Sequence, residues 1–177
     1  YDVSDVSVMN PIYAGLTQKT VASFVQTRIS LGGGWSVVSG IRYDYRQVDP
    51  GNEYPARHFK SFSPKLSLNH RAPSHRLFHI AINKGFRAPS LSELYLLHAS
   101  SYGLFLQGTP SIDPESVWAL ETGYQFDYSK NLNLEFQFFH NRYSDMIDFV
   151  YAIPVKARNW QSVTASGAEI QINSKLS

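Results

Sequence analysis

The side chains best suited to chemistry gather between Ala88 and Ser116. His98, Tyr102, Phe105 and Gln107 place an imidazole, a phenol, an aromatic face and an amide in one connecting segment. Groups of this kind hold ligands, and imidazole also coordinates metals. Arg57, His58 and Arg158 add cationic or titratable groups in what read as neighbouring loops, able to attract an anionic ligand. Covalent catalysis fits the residues poorly. The chain has no cysteine, so it has neither a thiolate nucleophile nor a thiolate metal site. His70 and His79 lack an accompanying nucleophile pattern. Gly32-Gly33-Gly34 is not followed by the Lys-Ser/Thr of a phosphate loop and reads as a turn. The expectation is a binding protein, not an enzyme, with no resident cofactor.

The elements that position these groups are strands. From Trp35 to Arg46, the residues Trp35, Val37, Ile41, Tyr43 and Tyr45 share one parity, while Ser36, Arg42, Asp44 and Arg46 take the other. The same period of two runs through Ser61–Arg71, Trp118–Tyr128 and Leu132–Phe138, and less cleanly from Thr20, Arg76 and Val163. Seven strands of about 10–12 residues are expected, beginning near positions 20, 35, 61, 76, 117, 132 and 163. Their connections alternate. Gly32–Gly34, Ala72–Ser74 and Ser129–Asn131 are tight turns, whereas Gln47–Lys60, Ala88–Ser116 and Phe149–Ser162 are long. In an up-and-down meander this puts tight turns on one rim and long loops on the other, the layout of an outer-membrane barrel. Within the longest loop, Ser90 and Glu93 form a capping box, so Leu91–His98 is expected to be a short helix.

Segment length suits a tilted membrane strand, which needs about 9–11 residues. Trp35, Phe126 and Tyr128 fall near the tight-turn rim, and Tyr43, Tyr45, Phe62, Phe86 and Trp118 near the other, as aromatic girdles do. The same alternation also builds soluble sandwiches, in which the apolar face points inward; periodicity does not say which face is inside. Lys84 interrupts the apolar parity of Phe78, Ile80, Ile82 and Phe86, toward the end where a lysine can snorkel. Pro64 cannot donate to a ladder and is expected near a strand end. The 177 residues carry a formal charge of only +2, too balanced for a nucleic-acid binder. No apolar run reaches the ~18 residues of a spanning helix. The chain starts at Tyr1, shows no signal peptide, and continues its apolar parity through Ile170, Ile172 and Leu176 to the end. Seven strands do not close a bacterial barrel, so an incomplete portion of a larger one is expected.

Several segments carry a family resemblance. Gly85-Phe86-Arg87-Ala88-Pro89-Ser90-Leu91-Ser92-Glu93-Leu94-Tyr95 resembles the GFRAPSLSELY signature of TonB-dependent outer-membrane receptors. Thr109-Pro110-Ser111-Ile112-Asp113-Pro114-Glu115 is similar to that family's NPxLxPE element, and Glu121-Thr122-Gly123-Tyr124 to its E-x-G-Y. Gly40–Asp44, Phe62–Lys65, Asn141–Ile147, Asn159 with Gly167-Ala168-Glu169, and Asn10-Pro11-Ile12-Tyr13 match further short motifs in family order.

The resemblance implies an all-β, antiparallel, transmembrane barrel of 22 strands around a plug. Residues 1–177 would form part of the barrel domain, and no plug or TonB box is visible. It implies a multi-pass protein of a Gram-negative outer membrane that imports a metal chelate: ferric siderophore, haem or cobalamin-like. The TonB complex would act through the missing plug, with outer-membrane lipid or lipopolysaccharide at the surface. Arg28, Arg42, Asp44, Lys65, Glu121, Glu135 and Glu169 would line the lumen, as solvated charge or as contacts to plug and ligand. In haem receptors of this family a histidine between the two signature elements ligates haem, and His98 lies in that interval, although Thr109-Pro110-Ser111-Ile112 departs from the haem pattern. Arg57, His58 and Arg158 would serve either ferric chelates or lipopolysaccharide. The rival readings are a passive porin-type channel and a soluble β-sandwich binding module.

Overall fold

The computed structural model describes residues 15–51, 54–73, 75–99, 105–151 and 154–174. Tyr102, the Asn10–Tyr13 motif and Leu176 lie outside them. One nine-stranded sheet accounts for almost everything described. Its long strands are β1 (Thr17–Gly32), β2 (Trp35–Asp49), β3 (Arg57–Ala72), β4 (Arg76–Arg87), β7 (Glu115–Ser129), β8 (Leu132–Val150) and β9 (Val155–Ser174). Between β4 and β7 come a helix, α1 (Leu91–Tyr95), and two short strands, β5 (Leu97–Ala99) and β6 (Phe105–Gln107). The order across the sheet is β1-β2-β3-β4-β7-β8-β9-β6-β5, all antiparallel except β6 against β9. Consecutive long strands are neighbours throughout, as in a meander, and the sheet does not close among the described residues.

The seven alternating segments are therefore the seven long strands, but with three corrections. They run 12–20 residues rather than 10–12. The connection expected over Phe149–Ser162 shrinks to 151–154, because β8 and β9 keep pairing up to Val150↔Lys156. Likewise Gln47–Lys60 shrinks to 50–56, leaving 88–114 as the one long excursion among the described residues. Backbone groups above the apolar band still need partners, and a hairpin supplies them. Finally, Pro64 lies in the middle of β3, and the β3–β4 ladder begins one residue later, at Lys65↔Asn83. Its missing N–H accounts for where that ladder stops.

The tight turn between β1 and β2 needs its glycines. Gly32, Gly33 and Gly34 all have positive φ, and a Cβ on Gly34 would lie 2.1 Å from the Arg71 carbonyl oxygen. That oxygen's own residue donates its N–H to the Gly34 carbonyl at 2.9 Å.

Cross-strand register assigns faces, since directly paired residues point the same way. One face carries Ile41, Leu66, Ile80, Ile82, Leu120, Leu134, Phe136, Phe138, Ile170 and Ile172. No second sheet or helix covers it among the described residues: Phe136 is 41% exposed and Ile170 66%. The sandwich alternative required these residues to be sealed inside. The opposite face carries Arg28, Arg42, Asp44, Lys65, Glu121, Glu135 and Glu169. Its hydrophobic core cluster lies at the long-excursion rim, where Val48, Phe59, Ile147 and Ala157 of four strands meet Ala88, Leu94, Tyr95 and Ile112 of the excursion.

Candidate functional site

The described residues of 88–114 do not project away from the sheet. They fold back onto the polar face at its rim, and the way they are held defines the site.

Alpha-helix α1 starts where the capping box says it should. The Glu93 amide donates to Ser90 Oγ at 3.2 Å, and the Ser90 amide donates to Glu93 Oε2 at 2.7 Å. Its length differs from expectation: the helix ends at Tyr95, and His98 belongs to strand β5. Leu96, at the C-cap, leaves the helical region with ψ of 131°, and the chain turns into an extended hairpin. Gly108 closes that hairpin against the helix end, donating to the Leu96 carbonyl at 2.6 Å. A Cβ there would fall 2.6–2.7 Å from the backbone of Leu94, Tyr95 and Leu96, so no other residue fits without displacing the turn.

A single guanidinium ties this unit to the sheet. Arg87, the last residue of β4, makes two hydrogen bonds to Glu115 (2.7 and 2.7 Å) and two to Glu93 (2.9 and 3.0 Å). Planar forks of this kind are the strong form of charged hydrogen bond. Glu115 Oε1 also accepts the Ile147 amide at 2.6 Å, which links β7 to β8. Burial alone would push the Glu93 carboxyl up. The hydrogen bonds from Arg87 and Ser90 outweigh it and hold the group below the ordinary carboxylate range. Burial raises the Tyr95 phenol, whose hydroxyl is enclosed with no hydrogen-bond partner among the described residues.

Two further side chains fasten the returning limb. Arg57 donates to the carbonyls of Pro110 (2.5 Å) and Ile112 (3.1 Å) while its guanidinium carbon lies 5.2 Å from the Phe59 ring centre. Asn159 accepts the Asp113 amide at 2.8 Å and donates to the Asp113 and Asp145 carbonyls at 2.9 and 2.7 Å. The second of these steadies Asp145, which has φ of 56°.

The sequence-derived candidates divide accordingly. Arg57, His58 and Arg158 were expected on loops but lie in strands β3 and β9. Arg57 is engaged in holding 110–112. His58 points to the opposite face, where the Tyr45 hydroxyl lies 2.9 Å from its Nδ1. Arg158 is exposed opposite Asp148. His98 is exposed on β5, opposite Leu106, and Gln107 pairs in parallel with Lys156. Phe105 opens β6. No group of three His, Asp or Glu side chains able to hold a metal occurs among the described residues. The seven charges expected to line a lumen share one face. Register relates Arg28 to Val38, Arg42 to Ser63, Asp44 to Ser61, Gly40 to Lys65, Ala81 to Glu121, Gln125 to Glu135 and Gln137 to Glu169, all of one parity set. Arg42 and Asp44 pair with each other at 2.7 Å.

Sequence reasoning noticed Glu93 only as a cap and Glu115 and Asn159 only as motif letters. It missed that Arg87 joins the first two. The signal was a guanidinium and two carboxylates inside the two signature segments, but they are 28 residues apart at the widest. The arrangement holds the excursion to the sheet through charged hydrogen bonds. It can shape a rim and receive a ligand.

A family model described as TonB dependent receptor-like, beta-barrel, matches residues 1–177. Transferrin-binding protein A of Neisseria meningitidis serogroup B is 29% identical over 142 residues, which cover 78% of this chain and 15% of the relative. The solved copper transporter OprC superposes with a TM-score of 0.74 at 17% identity, covering 92% of this chain and 27% of that one. The Serratia marcescens hemophore receptor HasR, solved with its hemophore HasA and heme, gives 0.74 at 15% identity, covering 90% and 32%. The chain thus spans less than a third of the length of each of these proteins.

Proposed function

We propose, from the premise that this chain belongs to the TonB-dependent receptor β-barrel family, that it forms part of the wall and one rim of an outer-membrane receptor that binds and imports a metal chelate. The observation that carries this reading is the two-faced sheet: large apolar side chains stand uncovered along the middle of one face, while Arg42, Asp44, Glu121 and Glu135 stand on the other. Such a sheet is stable when the apolar face meets acyl chains and the polar face encloses water and a plug. The protein is then multi-pass in a Gram-negative outer membrane, with the 88–114 excursion at the outer mouth. Residues 1–177 are one stretch of the barrel domain, and the plug that contacts the TonB complex lies elsewhere in the protein. The charges Arg28, Arg42, Asp44, Lys65, Glu121, Glu135 and Glu169 line the lumen. Ligand contact at the mouth falls to His98, which is exposed on β5, with Gln107 of β6, Phe105 and Tyr102.

The relatives' printed names concern transferrin, copper and heme, so the cargo class is a metal in bound form. Whole cells expressing the full-length protein should accumulate such a chelate only while the inner membrane is energised. A passive porin would instead conduct ions in a planar bilayer without any energy source. Large, energy-independent conductance by the purified protein would replace the importer reading with the porin one. The narrower role of His98 is tested by titrating the receptor with haemin and following absorbance; equal binding by wild type and His98→Ala removes it.

A further inference from the structure

The wall is not continuous to its top. Strand β2 stays paired with β3 up to Val48↔Arg57, and β4 with β7 up to Arg87↔Glu115. Between these two panels the β3–β4 ladder ends at Lys65↔Asn83, and no pairing joins 57–64 to 84–87 among the described residues. Had the register run on, Pro64 would stand opposite Lys84 and Ser63 opposite Gly85. Pro64 brings no N–H to that place, and Gly85 brings no side chain. A Cβ on Gly85 would meet the Val117 side chain of β7 at 3.0 Å and no atom of β3 within 4 Å. Above this seam the panels are tied through the excursion: Arg57 of β3 holds the carbonyls of residues 110 and 112, and Arg87 of β4 holds Glu93.

The lower end of the seam borders a cavity of about 470 Å³ lined by Phe24, Gln26, Arg42, Ser63, Lys65 and Asn83. Register puts all six on the polar face, in the rows Phe24–Arg42–Ser63 and Gln26–Gly40–Lys65–Asn83. Arg42 is paired with Asp44, but Lys65 has no carboxylate within 4 Å among the described residues. On the other face the same level is flanked by exposed Ile41, Leu66 and Ile82. The height of the seam follows from strand length. Ala72 back to Pro64 is nine residues, and Arg76 to Lys84 is nine, within the ~9–11 that a tilted strand needs to cross the hydrocarbon. The ladder therefore stops where acyl chains give way to headgroups, and backbone groups outside a ladder are tolerable there as they are not lower down. Overhead, Val48, Phe59 and Leu94 close the rim. This sector is shut at the top and unpaired at the side.

We infer that the β3–β4 seam is a side entrance from the outer leaflet to the lumen, and that its ligand is an amphiphilic metal chelate with an anionic, oxygen-rich head and an acyl chain. The head passes between Pro64 and Lys84 to reach the Lys65 ammonium, the Asn83 amide and the Ser63 hydroxyl, all donors to oxygen. The chain stays in lipid beside Ile41, Leu66 and Ile82, where it keeps its apolar surface out of water. A wholly water-soluble chelate gains nothing from an entrance that opens at the lipid boundary, and a wholly apolar one gains nothing from Lys65. This inference rests on the importer reading given above and narrows its cargo.

The test uses the full-length receptor in lipid nanodiscs and two photoreactive probes, a ferric tris-catecholate chelate carrying a tetradecanoyl chain and the same chelate without the chain. Adducts are mapped by mass spectrometry. The tailed probe should label Ser63 and Asn83 in preference to the tail-less one, and Lys65→Gln should lower that labelling about tenfold, the worth of one charged hydrogen bond. A Ser63→Cys/Gly85→Cys variant should label normally until a short bismaleimide joins the two thiols, and then at least about tenfold less. Labelling undiminished by the closed staple overturns the inference, as does equal labelling by the two probes. Hydrogen exchange checks the seam without any variant: the β4-facing amides of 57–63 should exchange about a hundredfold faster than those of 66–71. Equal protection would mean that the seam is closed, and would overturn the inference too. The two levels separate in cells. Energised accumulation of metal chelates by a receptor whose lumen ignores the tailed probe keeps the importer reading and loses only this entrance. Labelling through the seam in a receptor that accumulates no chelate keeps the entrance and loses the importer.

Discussion

The lower wall of the sheet and the rim above it use the same strands but are held by different forces. In the wall, from Trp35 to Gly40 or Leu132 to Phe138, the residues see their ladder partners and, apart from the buried Val38, remain at least partly exposed. At the rim, the same strands continue as Val48, Phe59, Ile147 and Ala157 and close over Leu94, which is 0% exposed. The wall is a surface with two solvents; the rim is a small protein core. The wall therefore tolerates truncation that the rim does not.

The largest difference is expected for core truncation. Leu94→Ala should cost about 3 kcal/mol, since it removes buried methyls and leaves a cavity. Phe136→Ala in the wall loses only the transfer term, roughly 2 kcal/mol at most, because lipid or detergent flows into the space. Hydrogen exchange of amides 91–97 reads the first, and global thermal unfolding reads the second. If Leu94→Ala left those amides protected, the rim would not be an independent core. Gly108→Ala should resemble Leu94→Ala in the same assay, through a backbone clash rather than a cavity.

Next comes the clasp. Arg87→Gln removes four charged hydrogen bonds from a group 45% exposed on its side chain. After allowing for solvent screening, a loss of about 2 kcal/mol is expected. It should appear as protease cleavage inside 88–114 while the barrel stays intact. Cleavage no faster than wild type would mean that Arg57 and Asn159 suffice.

The pH dependence sharpens the same point. The folded Glu93 carboxyl lies below its ordinary value. Its stabilising contribution is therefore complete above the ordinary carboxylate range and is lost as pH falls through the lowered folded value. Protection factors of 91–97, corrected for intrinsic exchange, should be flat from about pH 7 to 5 and fall toward about pH 3. A matching fall at those pH values in Glu93→Gln would assign the effect to another group. The smallest effect belongs to the wall again: Arg42→Gln breaks an exposed ion pair with Asp44 and should leave the unfolding midpoint unchanged.

How much of this was legible follows the same division. The strands, their faces and the tight turns could be read because alternation is a local property, visible within Trp35–Arg46 or Leu132–Phe138. The Ser90–Glu93 cap was equally local. The helix's early end at Tyr95 was not, because it depends on Gly108 arriving against Leu96. Nor was the length of β8 and β9, since the pairing from Met146↔Trp160 up to Val150↔Lys156 joins two segments neither of which announces it alone. Arg57 looked like a ligand-attracting loop cation because the sequence does not show two carbonyls, from residues 110 and 112, converging on it.

By itself, then, the chain's residue order determined a two-faced antiparallel meander, which residues share a face, and a capped turn after Arg87. These follow from steric period and short-range hydrogen bonding. Only the tertiary structure decided that the long excursion folds inward, that Arg87 joins carboxylates 22 residues apart in the chain, and that Asn83 stands beside Lys65 where the β3–β4 ladder stops. Those depend on strand register, which brings together side chains whose separation along the chain carries no energetic trace.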